Sequence, residues 1–181
     1  MVAVCLLRGV NVGGNNKLKM EVLRAICHEQ GLERVETYIQ SGNAVFSTRE
    51  KKLPLLAARL EDAMEKLCGF RPPVILRSLS EMRDVVQRNP FAGRQDLDPA
   101  KLVVNFLPRT PSQEDRERLL AIPVSPEELK LHGAEMYIYF ANGQGQSKLP
   151  AAKIERITGP GTGRNWNTVL KLLAMAEAAA I

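Results

Sequence analysis

Histidine and cysteine are scarce in this chain, with two and three copies in 181 residues. His28 and His132 each stand alone, which removes the usual basis for a zinc site or for a paired general acid and base. Cys5, Cys27 and Cys68 are widely spaced, odd in number and set in apolar patterns. They form neither a CxxC pair nor a disulfide framework, and are expected as reduced core residues. Long hydrophobic runs are missing too. The N-terminal apolar run from residue 2 to residue 7 is interrupted by Arg8, too soon for a signal segment, and no later stretch is long enough to span a bilayer. A cytoplasmic protein with no membrane partner is expected. Charge is nearly balanced, 25 basic against 20 acidic residues, a net +5 that permits a phosphate-bearing partner without requiring one.

What is present is a polar loop. Arg8-Gly9-Val10-Asn11-Val12-Gly13-Gly14-Asn15-Asn16 opens directly out of the first apolar run. Glycine lets backbone approach a ligand and aim bare N–H groups at an anion, with Arg8 at the entrance. Similar polar clusters recur at Ser41-Gly42-Asn43, at residues 142–148 and at residues 162–168.

Between these clusters the hydrophobic pattern is regular. Residues 2–7 read as a strand covered on both faces, and Met20, Leu23, Ile26 and Cys27 as a helix closed by Gly31. Residues 35–40 alternate as a strand, 44–47 return as another, and Leu53, Leu56, Leu60, Met64 and Leu67 mark a clean amphipathic helix before Gly69. Residues 74–77 supply a fourth strand behind Pro72-Pro73. The order is that of a split βαβ unit. A second copy of the pattern follows a connecting helix at 79–88: a strand at 102–107, a helix at 112–121, a hairpin at 128–131 and 136–140, a short helix capped by Ser147, and a last helix carrying Trp166, Val169, Leu170, Leu173 and Ala176.

The fold class expected is therefore α+β, two ferredoxin-like (α/β-plait) domains in tandem, the second a variant ending in helices. The first spans residues 1–78. The second, with its connecting and C-terminal helices, spans 79–181.

In a split βαβ unit the first two strands run parallel and the third inserts between them, so the loop leaving strand one and the turn leaving strand two share one end of the sheet. That geometry brings Arg8, Asn11, Gly13, Gly14 and Lys17 beside Ser41 and Asn43. The expected pocket is rich in donors and almost free of acids, suited to phosphate or carboxylate. Arg164 and Asn167, ahead of the last helix, and Lys148, after the 142–146 glycine loop, are further anion contacts by the same reasoning. The opposing view of each residue is ordinary: glycines make turns, asparagines bond their own backbone, and Arg164 is a surface arginine beside a capped helix. The glycine loop matches neither nucleotide fingerprint. No Gly-Lys-Ser/Thr follows it, and the GxGxxG spacing is absent. No catalytic set can be named and no cofactor is expected.

With those residues in view, the chain resembles the bacterial family called domain of unknown function 1697. The resemblance rests on Leu7-Arg8-Gly9-Val10-Asn11-Val12-Gly13-Gly14 with Met20, on Tyr38-Ile39-Gln40-Ser41-Gly42-Asn43, on Ser147-Lys148-Leu149, and on Thr162 with Arg164-Asn165-Trp166-Asn167-Thr168. It implies two α/β-plait domains in one chain and implies no reaction.

The function expected is binding of an anionic small molecule, a nucleotide or phosphorylated metabolite, at a site between the plaits carried by Arg8, Asn11, Gly13, Gly14, Ser41, Asn43, Lys148, Arg164 and Asn167. The alternative is RNA or single-stranded nucleic-acid binding through the plait sheets, for which Tyr137 and Tyr139 are the stacking candidates. A third reading is an interaction module with no small ligand, in which the loops hold the two domains together.

Overall fold

Val2–Leu7 (β1) is apolar on both faces because it is an inner strand of a four-stranded antiparallel sheet. The computed structural model describes residues 1–181. It divides into two compact units, Met1–Asp84 with Lys171–Ile181, and Val85–Leu170. The cut expected between residues 78 and 79 differs from this division, which runs through the helices Leu79–Gln87 and Trp166–Ala179.

In the first unit β1 is followed by α1 (Met20–Glu29), β2 (Glu33–Tyr38), β3 (Asn43–Ser47), α2 (Leu53–Cys68), β4 (Val74–Ser78) and α3 (Leu79–Gln87). The strand order is β2-β3-β1-β4. As expected, β3 lies between β1 and β2 and is antiparallel to both. Alternate residues of the inner strands, Ala3, Cys5 and Leu7 with Ala44 and Phe46, form one core with Leu23, Ile26 and Cys27 of α1 and Leu56, Leu60 and Met64 of α2. Period two on the strands and period three to four on the helices thus meet on one sheet face. Gly69 ends α2 in the left-handed conformation, the ordinary device for stopping a helix.

The second unit repeats the order: β5 (Leu102–Phe106), α4 (Gln113–Leu120), β6 (Glu128–His132), β7 (Glu135–Tyr139), α5 (Ala151–Thr158) and β8 (Thr162–Asn165), then α6 (Trp166–Ala179). Its strand order, β6-β7-β5-β8, matches the first. Val103, Leu107, Met136 and Ile138 form its core with Leu119 of α4 and Ile154 and Ile157 of α5.

Two expectations are corrected here. The second half does not pass straight into helices after its hairpin: β8 completes a fourth strand, pairing Val104 with Arg164 and Phe106 with Thr162. Thr-Gly-Arg-Asn carries no apolar residue, so the alternation that marks a strand is missing from its sequence. Ser147 does not cap a helix; it follows a single 3₁₀ turn at Gln144–Gln146, and α5 starts only behind Pro150.

Candidate functional site

The loop leaving β1 folds back as a small hairpin. Arg8 N–H extends the sheet by donating to the Pro73 carbonyl (3.0 Å), Asn11 N–H donates to the Asn16 carbonyl (3.1 Å), and Asn15 N–H to the Val12 carbonyl (3.1 Å). Its tip is Val12-Gly13-Gly14-Asn15, with φ of +57° and +80° at the two glycines. Positive φ at both central positions is what a type I′ turn requires and what side chains resist. A Cβ built on either glycine would meet nothing within 4 Å, so the tip stands open. The peptide N–H groups of Gly13 and Gly14 make no bond within the chain.

Asn11 ties this hairpin to the turn between β2 and β3. Its Nδ2 donates to the carbonyls of Leu18 (2.9 Å) and Gln40 (2.7 Å), and its Oδ1 accepts from Leu18 N–H (2.8 Å). The expected meeting of the two loops at one sheet end is therefore a direct contact. Asn43 is fully buried, and its Nδ2 donates to the Tyr38 carbonyl (3.0 Å) and to Ser41 Oγ (2.8 Å). The turn is packed so closely that a Cβ on Gly42 would lie 2.6 Å from Val10 Cγ2 and 2.7 Å from Leu7 Cβ.

Both N–H bonds of each amide, on Asn11 and Asn43, are committed to neighbouring groups, and these side chains build the loop cluster. The groups exposed to solvent are the glycine N–H groups and Lys17, while Arg8 and Ser41 are half-buried beside them. No carboxylate occurs in residues 8–19 or 38–43.

The second unit treats its candidates differently. Arg164 lies within β8, 7% exposed, and its Nη1 donates to Thr162 Oγ1 (2.7 Å) and the Gly163 carbonyl (2.9 Å). It was expected in an open loop ahead of a helix; the polar strand places it in the sheet instead. Asn167 is exposed in the first turn of α6, its N–H bonded to Asn165 Oδ1 (3.0 Å), which caps the helix. Lys148 is exposed beside Ser147, whose Oγ accepts from Leu149 N–H (3.1 Å).

The aromatic residues needed for base stacking on the second sheet are not on offer. Tyr137 is fully buried with its hydroxyl donating to the Val85 carbonyl (2.8 Å), and Tyr139 is 8% exposed with its hydroxyl accepting from Asp98 N–H (3.3 Å). Burial pushes the Cys27 thiol up to about 12 and also raises Cys68, so thiolate is suppressed at both. No three side chains of histidine, cysteine, aspartate or glutamate gather as a metal site. No helix is long and apolar enough to cross a membrane.

Fold and loops together define an α+β protein of two four-stranded antiparallel sheets, each accompanied by helices, with a donor-rich loop cluster at one end of the first sheet. The chain belongs to the family described as protein of unknown function DUF1697, whose model matches residues 1–137. It is similar in structure to the conserved bacterial protein SP0830 from Streptococcus pneumoniae, with 26% sequence identity, a TM-score of 0.71, and 97% of this chain and 98% of that one covered. No curated protein matches it.

Proposed function

We propose that the protein binds an anionic small molecule, a nucleotide or phosphorylated metabolite, at the hairpin that follows β1. The observation that carries this reading is the open tip at Gly13-Gly14, where two successive peptide N–H groups are exposed and unused in a stretch without acids. Successive N–H groups in such a turn form a concavity for an anionic oxygen. Arg8 and Lys17 supply positive charge, and Ser41 a hydroxyl. Asn11 and Asn43 act indirectly, holding the two loops in register. Buried Arg164 is left out of the contact set.

The same reading takes both units as ferredoxin-like plaits, supported by the repeated β-α-β-β-α-β order and by the strand order 2-3-1-4 in each sheet. Plaits leave the loops at one sheet end free to vary without disturbing the core.

Calorimetric titration with pyrophosphate and with adenosine 5′-monophosphate at low salt tests the proposal. A charge-assisted hydrogen bond contributes about 1.5–3 kcal/mol, so Arg8→Ala and Lys17→Glu should each weaken binding roughly tenfold or more. The thermal midpoint of Lys17→Glu should stay near that of the parent, because Lys17 is exposed. Failure of both ligands to bind, or equal affinity in parent and variants, removes the site.

A further inference from the structure

The two helices that cover the second sheet enclose a cleft of their own. In the order β5-α4-β6-β7-α5-β8 these helices run antiparallel, so the C-terminal end of α4 lies beside the first turns of α5. Between them is a space of about 460 Å³, lined by Arg118 and Ala121 on one side and by Lys153, Arg156 and Ile157 on the other. Each wall is a stripe at three- and four-residue spacing, which is one face of a helix. The volume falls within the roughly 300–1,000 Å³ of small-molecule sites.

Charge on these helices is segregated. Together α4 and α5 carry four acidic and four basic residues, yet three of the bases and none of the acids line the cleft. Glu117 Oε1 accepts from Gln113 Nε2 (2.8 Å), and Asp115 is shared between Arg109 (3.6 Å) and Arg118 (3.5 Å). Glu155 follows Lys153 by two residues and so lies about 200° round α5. Glu114 stands one turn before Arg118, outside the cleft. From β6, which packs against α4, Glu128 is held by Arg94 (2.7 Å) and Lys130 by the Pro90 carbonyl (3.3 Å).

The three cations are exposed and keep donors to offer. Lys153 makes no bond through its ammonium group, Arg156 spends only Nε, on the Ala152 carbonyl (3.3 Å), and Arg118 meets Asp115 through Nη1 alone. Ile157, 4% exposed, gives the space an apolar floor. Cations on opposed walls above such a floor favour a molecule with an anionic group at each end and a short carbon frame between. Phosphate suits the ends better than carboxylate. An arginine fork takes two oxygens and a lysine beside it needs a third, which a phosphate ester has and a carboxylate lacks.

We infer that the cleft between α4 and α5 binds a small bisphosphorylated molecule, one phosphate at Arg118 and the other at Lys153 and Arg156. Amide NMR titration reads this site through residues 118–121 and 153–157, apart from Gly13 and Gly14 of the first unit. Fructose 1,6-bisphosphate should shift the cleft amides saturably, and fructose 6-phosphate should bind there roughly tenfold more weakly. Pyrophosphate, which has no frame to span the walls, should also bind more weakly. Arg118→Gln should reduce the bisphosphate to the affinity of the monophosphate, whereas Lys153→Glu should weaken both roughly tenfold or more. Both side chains are exposed, so both variants should keep the urea midpoint of the parent. The cleft shifts should be the same in Lys17→Glu, whether or not the hairpin of the first unit binds anions. Absence of saturable cleft shifts, monophosphate or pyrophosphate binding as tight as the bisphosphate, tighter binding of a short oligothymidylate at the same amides, or unchanged affinity in either variant overturns the inference.

Discussion

The two units share a frame and differ in what leaves it. In the first sheet Val4 pairs with Val45 on one side and Arg77 on the other; in the second, Val104 pairs with Tyr137 and Arg164. Each arginine is buried, and each donates through Nη1 to the carbonyl of the residue before it, Leu76 or Gly163. Even the strand ends correspond: Leu7 N–H donates to the Gly42 carbonyl (2.9 Å) and Leu107 N–H to the Ala134 carbonyl (2.8 Å). Yet Arg8 to Lys19 separates β1 from α1, while the shorter Leu107 to Ser112 separates β5 from α4. Sheet register is reproduced where backbone bonding and core packing dictate it. Candidate chemistry sits in the connections, where neither constraint applies.

The pair Gly42 and Ala134 shows how far the long loop has reshaped its unit, and it gives the largest expected effect. Gly42 has φ of +75° with Val10 and Leu7 pressed against it, whereas Ala134 lies outside the left-handed region. Gly42→Ala must overcome both the backbone strain and the clash, and should lower stability by about 3–4 kcal/mol. Ala134→Gly should cost no more than about 1 kcal/mol, through added freedom in the unfolded chain. Urea midpoints of the two variants check this. Equal losses would mean that the 8–19 loop does not constrain the turn beside it.

The matched arginines come next. Arg164→Ala and Arg77→Ala each remove a buried side chain together with its hydrogen bonds, and each should lower stability by about 2 kcal/mol. If Arg164→Ala left the urea midpoint unchanged while abolishing pyrophosphate binding, the arginine would be a ligand contact after all and the correspondence with Arg77 superficial.

That arginine marks where sequence reasoning succeeds and where it stops. Apolar periodicity located β1, α1, α2, β5 and the β6–β7 hairpin, because burial writes itself into hydrophobic spacing. It missed β8, whose Thr162 and Arg164 are buried polar residues held by hydrogen bonds that spacing does not encode. Crossover geometry alone placed the 8–16 loop beside the Ser41-Gly42-Asn43 turn, where the structure adds the bond from Asn11 to the Gln40 carbonyl. Whether Asn11 then faced a ligand or its own backbone did not follow, since both uses ask for the same residue type.

The smallest effect expected is a gain. Ile39 opens the turn between β2 and β3 at φ of +50°, 51% exposed, although β-branched side chains are the least tolerant of that region. Nothing comparable occurs between β6 and β7, where Gly133 alone has positive φ. The strain in the first unit is sustained from outside, by the Asn11 side chain holding the Gln40 carbonyl of the next peptide at 2.7 Å. Asparagine accepts the left-handed region more readily, so Ile39→Asn should raise stability by about 1 kcal/mol, read as a higher urea midpoint. Pyrophosphate affinity should be unchanged, because the peptide groups at Gly13 and Gly14 are untouched. A lower midpoint would show that the exposed isoleucine contributes packing that outweighs its backbone strain, and the contrast between the two turns would then rest on side chains rather than on the loop that crosses the first.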